Sequence, residues 1–237
     1  MDDMTTARST TAHRATARGA TAPSATTRST TARDATAPVG GGRADANRRR
    51  ILDVAFAELL RDPDASMDQV ARAAGVVRRT VYGHFPSRDA LISALTDNAV
   101  EAVAAAQAQE PSGVTDPAEE LARRTLAVWP IADRYRLLVS LAQRSVTMAG
   151  IRQRLAPVRE NLVQLLRQGL DQGVFVSPLP ADALAYVHEQ VLFGLMEAVN
   201  DGALPADRAG ESAAVTALVS AGVPVARATE LAARLGR

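Results

Sequence analysis

Apolar positions between residues 51 and 95 recur at helical spacing in short, separated stripes. Met67, Val70, Ala71 and Ala74 stand at i, i+3, i+4 and i+7, one face of a short helix. Ser66 precedes that stripe and Gln69 follows it by three, the spacing of a capping box in which each side chain satisfies a free backbone N–H. Gly75 stops the helix, because glycine enters the left-handed region without a Cβ clash. A second short helix follows over about Arg78 to Phe85. Val81 and Phe85 face inward, and Arg78, Arg79, Thr80, Tyr82 and His84, all hydrogen-bond donors, face outward. Upstream, Leu52, Ala55, Phe56 and Leu59 mark the buried side of a helix from about Ala46 to Leu60, ended by Pro63. Downstream, Ser87 caps a long helix to about Gln109, with Leu91, Leu95, Ala99 and Val103 inward.

Beyond residue 118 the chain reads as helices punctuated by proline and glycine. Ala118 to Val128 is one, stopped at Trp129-Pro130, and Asp133 to about Val146 is the next. Ile151 to Gln172 is strongly amphipathic, and Pro157 marks either its start or a kink. Asp182 to Val199 is apolar on more than one side and so needs covering on several faces. Ala213 to Ala221 and Val225 to Leu235 complete an all-α fold. The expected divisions are a Thr/Ala/Arg-rich tail over 1–44, a helix-turn-helix domain over 45–92 and a helical domain over 93–237.

The two short helices joined by a tight glycine turn have the geometry in which the second enters a DNA major groove. Net charge is only +1, but its distribution is uneven. Residues 1–92 hold 14 Arg against 10 Asp and Glu, and the remainder 13 against 16, so the basic end is the end that carries the motif. In the tail, RSTTAHRATA at 8–17 recurs as RSTTARDATA at 28–37. Such a composition cannot bury enough surface to offset its ordering entropy and is expected to be disordered. It is read as a passive tail, with a basic arm adding non-specific DNA affinity and an organelle transit peptide as the alternatives.

The run AAGVVRRTVYGHFPSRDAL, preceded by SMDQVA and ILDVAFAELL, resembles the TetR family of bacterial transcriptional regulators over about residues 47 to 95. The resemblance implies a three-helix DNA-binding domain, an all-helical ligand-binding and dimerisation domain, and a homodimer on a near-palindromic double-stranded DNA operator. By position, Thr80, Tyr82 and His84 would be operator contacts, and Arg88 stands where the family usually has a phosphate-holding lysine. Two residues depart from the pattern. Val77 replaces a small capping residue, a loss of about 1 kcal/mol, and Arg79 replaces a small one, so the contact at that position is not carried over. With Arg49, from the arginine cluster at 48–50, and Ser66, the candidate DNA contacts are Arg49, Ser66, Arg78, Arg79, Thr80, Tyr82, His84 and Arg88. The resemblance also implies that helices at about 182–200 and 211–221 pair with their copies, and their extra apolar surface suits an isologous interface.

Catalytic chemistry is not written in the chain. It has no cysteine, its three histidines lack metal-ligand spacing, and no phosphate-cradling glycine loop occurs, so no metal, cofactor or catalytic group is expected. His188 is read as a helix histidine satisfied by a neighbour, with a ligand contact as the alternative. A pocket among the later helices would draw on large adaptable side chains: Trp129, Tyr135, Met148, Phe175, Tyr186, Phe193 and Met196. These favour a small apolar or aromatic effector. With no apolar run of bilayer length and no secretory h-region, a cytoplasmic protein is expected. The whole reads as a ligand-responsive repressor; the alternative is an all-α enzyme or small-molecule-binding protein with a structural helix-turn-helix.

Overall fold

The helix over Pro117–Ser145 is central among the described residues: helices that precede it and helices that follow it pack against it. The structure, a computed structural model, describes residues 40–108, 116–145 and 148–237. The expectations for residues 1–39 lie outside that set. The described residues form ten α-helices and no strand: α1 (Gly40–Arg61), α2 (Met67–Ala73), α3 (Arg78–His84), α4 (Arg88–Ala108), α5 (Pro117–Ser145), α6 (Met148–Arg154), α7 (Ala156–Asp171), α8 (Ala181–Asn200), α9 (Ala206–Ser220) and α10 (Val225–Leu235).

Ile51, Leu52, Ala55, Phe56 and Leu59 of α1 meet Met67, Val70 and Ala71 of α2, Val81 of α3 and Leu91, Ile92 and Leu95 of α4 in one buried cluster. This cluster continues into Leu138, Leu141 and Ala142 of α5 and Ile151 of α6. A second cluster joins Ala118, Leu121 and Ala122 of α5 to α7, the start of α8, the end of α9 and α10. Phe175 lies within it, packed so closely on Gly169 that a Cβ there would fall 2.1 Å from the ring. Ala209, Ala213, Ala214 and Ala217 of α9 are all buried, and so small a face lets α5 and α9 run close together. Arg227 and Arg234 tie α10 to the start of α5 through Asp116 at 2.7 Å and Glu119 at 2.8 Å. The Arg234 hydrogen bond holds the Glu119 carboxyl below its ordinary range.

The helix expected over Ala213 to Ala221 begins seven residues earlier, at Ala206, and two other boundaries differ from the sequence expectation in an instructive way. The break at Trp129-Pro130 is absent: α5 runs from Pro117 to Ser145 with Pro130 inside it. Proline removes one N–H and crowds the carbonyl four residues back, which costs about 3 kcal/mol in a helix interior. Here the ring is exposed, while Leu121, Thr125 and Val128 before it and Leu138 and Ala142 after it are buried. Packing on both sides of the proline keeps the helix in one piece, since tertiary burial rather than propensity supplies most helix stability. Similarly, α1 begins at Gly40, six residues before the expected start at Ala46. Pro157 does mark a start: α7 opens at Ala156 with the proline in its first turn.

Candidate nucleic-acid interface and ligand cavity

The turn between α2 and α3 is built by side chains with local tasks. Ser66 Oγ accepts from the Gln69 backbone N–H at 3.3 Å, and Gln69 Oε1 accepts from the Ser66 backbone N–H at 2.7 Å, closing the capping box. Gly75 has φ +63°, the left-handed conformation the tight turn requires. Val77 stands at the N-cap of α3 with no side-chain hydrogen bond. The Ser66 hydroxyl is thus already engaged, and Ser66→Ala is expected to lower the unfolding free energy by about 1 kcal/mol in urea titrations.

Val81 is fully buried beneath α3 and Phe85 follows it into the core, which turns the other face outward. Arg79 is exposed, Tyr82 is 36% exposed, and Thr80 and His84 are half-buried. Arg78 is held in place. Its guanidinium donates to Asp68 at 2.9 Å and to the Tyr82 hydroxyl at 3.3 Å, and lies 5.0 Å from the Tyr82 ring centroid. It therefore braces α3 against α2 and props the tyrosine. Arg88, the first residue of α4, donates to the Pro63 and Ala65 carbonyls, so it grips the α1–α2 turn. Arg49 lies exposed on α1 with its Nε 3.5 Å from the Asp45 carbonyl. Its neighbour Arg48 lies over Phe85 at 5.4 Å, which brings α1 beside the end of α3. Arg79, Thr80, Tyr82 and His84 thus form one outward patch, while Ser66, Arg78 and Arg88 are committed within the protein.

A cavity of about 140 Å³ opens among α4 to α8. Its wall is mostly apolar, with Val128, Leu138, Ile151, Leu162 and Leu192 among the lining residues. Of the large side chains expected there, Tyr135, Phe193 and Met196 line it. The others are placed elsewhere. Trp129 packs with Ala209, Ala213 and Val199 on the far side of α5. Phe175 fills the second core cluster. Tyr186 is 46% exposed, its hydroxyl accepting from Arg152 at 2.7 Å. The side chain of Met148 lies outside the described residues.

Apart from His188, whose alternative reading was a ligand contact, the polar groups in the wall were not expected from the sequence. Thr96, Gln107, Thr125, His188 and Glu189 all line the cavity. His188 is buried and its Nδ1 has no hydrogen-bond partner, contrary to the expected satisfied histidine. Burial lowers its pKa from 6.5 to about 4, so the ring is neutral near pH 7. One signal was present in the chain. His188 falls four residues after Leu184 and four before Leu192, a polar residue inside an apolar stripe. Among the described residues no group of three or more His, Cys, Asp or Glu is placed to hold a metal, and no helix is long and apolar enough to cross a membrane.

A capped α2, a left-handed glycine turn and an α3 with a cationic, hydroxyl-bearing outer face have the arrangement of a helix-turn-helix unit. Residues 51–95 match the family model described as bacterial regulatory proteins, tetR family. The match thus covers the helix-turn-helix segment at the head of an all-helical body. The HTH-type transcriptional repressor LfrR of Mycolicibacterium smegmatis is 37% identical over 82 residues, which are 34% of this chain and 43% of that protein. The match thus spans less than half the length of that relative. Two solved structures share the fold over most of the chain. RolR in complex with resorcinol aligns with TM-score 0.57 and 22% identity over 81% of this chain and 96% of its own. The TetR family protein CprB from S. coelicolor A3(2) aligns with TM-score 0.63 and 19% identity over 82% and 98%.

Proposed function

We propose that the chain is a ligand-responsive transcriptional regulator, a repressor without enzymatic activity, that binds a near-palindromic DNA operator as a homodimer. Residues 45–92 serve as the DNA-binding domain and 93–237 as the effector-binding and dimerisation domain. The observation that carries this reading is the outward patch of Arg79, Thr80, Tyr82 and His84 on a helix whose other face is buried. A helix needed only for packing has no use for such a face. In a dimer, the two copies of α3 would enter successive major grooves about 34–36 Å apart.

Dimerisation through α8 and α9 is supported by apolar residues on both that the body leaves partly uncovered. Val187 and Val191 of α8 and Val215 of α9 are half-buried, and Val219 is exposed. Gly194 is also exposed, with nothing near the position of a Cβ, so a second backbone can come close there. The cavity among α4 to α8 is the effector site in this reading, filled by a small apolar or aromatic molecule. An occupant that binds better when the two recognition helices are misspaced releases DNA by linkage. RolR has been solved with resorcinol, and another similar structure is of a gamma-butyrolactone receptor.

Titration of the full-length chain against the DNA flanking its own gene, and against random duplex at the same salt, tests this. A preference of about a thousandfold or more is expected. Equal affinity for both duplexes overturns the operator reading.

A further inference from the structure

The polar atoms left without partners in the cavity wall specify what its occupant must carry. This inference rests on the reading of that cavity as the effector site. His188 lies on α8 at 7% exposure with Nδ1 unpartnered. Glu189 follows it, with Oε2 accepting from Arg159 Nε at 2.8 Å while Oε1 is buried without a partner. A carboxylate oxygen can only accept. Thr96 and Thr125 donate their hydroxyl protons to the carbonyls of Ile92 at 2.9 Å and Leu121 at 2.8 Å, so they too have only lone pairs left to offer. The charges in the wall are already matched: Arg159 balances Glu189, and Arg124 donates to Glu120 at 2.6 Å.

Of the buried atoms on lining residues left without a partner, Glu189 Oε1 and Gln107 Oε1 are acceptors and His188 Nδ1 is the third, and ion pairing leaves the described part of the wall without excess charge. Being neutral, the His188 imidazole offers one lone pair and one N–H, and a hydroxyl can meet either. The volume of about 140 Å³ sets the size. An apolar cavity of about 150 Å³ is known to take up benzene. The geometry points to an uncharged effector about the size of one ring, with an apolar body and at least one O–H or N–H donor met by His188 and Glu189. A carboxylate or phosphate would face the Glu189 oxygen, and among the described lining residues both arginines, Arg124 and Arg159, are already ion-paired. A plain hydrocarbon would leave all three orphaned atoms unmet.

Calorimetric titration of the full-length chain with phenol, toluene and benzoate tests this with three probes of similar size. Phenol is expected to bind at least about tenfold more tightly than toluene or benzoate, because a site built to hydrogen-bond a hydroxyl discriminates strongly against its absence. His188→Leu is expected to bring the phenol-to-toluene ratio below about threefold while toluene binds as well as before. Equal binding of toluene and phenol by the wild-type chain, tighter binding of benzoate, or binding of none of the three overturns the assignment. A folded His188→Leu variant that keeps the preference overturns the role of His188. If that variant does not fold, the wild-type ratio alone decides. The titrations contain no DNA, so a chain that prefers phenol but not its own promoter sinks the regulator reading and leaves the cavity chemistry standing.

Discussion

Replacing Arg79 and Tyr82 together by alanine is expected to weaken binding to the operator by about thirtyfold or more, with no measurable change in unfolding. The two halves of that expectation have separate causes. A side chain that reaches a base edge or phosphate contributes about 1–3 kcal/mol. Two such losses together come to about 2–6 kcal/mol, a factor of about thirty at the least. Neither residue belongs to the core, where Val81 and Phe85 anchor α3. Exposed substitutions of that kind stay within about 0.5 kcal/mol of wild-type stability. If Arg79 meets phosphate, the variant's affinity also depends less steeply on salt, since fewer counterions are released on binding. Gel-shift titrations at two salt concentrations read both effects, and undiminished affinity in the double variant would remove α3 from the reading surface. Arg78→Ala behaves differently. It unseats Tyr82 and frees Asp68, so it is expected to disturb the packing of α3 on α2 as well as DNA affinity.

The second large effect is on stability at mildly acidic pH, and it comes from His188. Its pKa is about 4 in the folded chain against 6.5 as the ordinary value, because burial disfavours the charged ring. Between those two values the unfolded chain binds a proton that the folded chain does not. The stability that His188 contributes is thus complete above about pH 6.5, falls as pH drops through that window, and is gone below about pH 4. From pH 7 to pH 5 the loss is about 2 kcal/mol, at 1.36 kcal/mol per unit of pKa difference. Urea unfolding of wild type and His188→Leu across that interval is the measurement. The difference between the two chains should shrink or reverse as pH falls. Parallel profiles would mean that the ring is not buried as described. Glu119, whose carboxyl Arg234 holds low, titrates below its ordinary 4.5 and so lies outside the interval.

How far the chain could be read from its pattern depended on whether one residue type decides a local conformation. Ser66, Gln69 and Gly75 form the capping box and turn that their spacing announces, and α10 occupies Val225–Leu235 as its stripe predicts. Pro130 misled, because a local rule about a missing N–H was outweighed by burial on both sides of it, and that burial is set by helices far away in sequence. The cavity was legible only in part for the same reason. Size selects Trp129 and Phe175 as readily as Tyr135 and Phe193, yet only the last two face the space. The groups that give the wall its chemistry are Thr125, His188 and Glu189, polar residues that helix packing turns inward.

Arg88 sits at one end of α4, locked onto the carbonyls of Pro63 and Ala65, while Val103 and Gln107 sit near the other in the cavity wall. Twenty-one residues without a proline or glycine make a stiff lever about 31 Å long. Tilting such a lever by about 5° swings its tip through about 2.7 Å. A displacement no wider than a single bond or two at the wall is therefore enough to move the turn beneath α2, and with it the angle at which α3 meets its target.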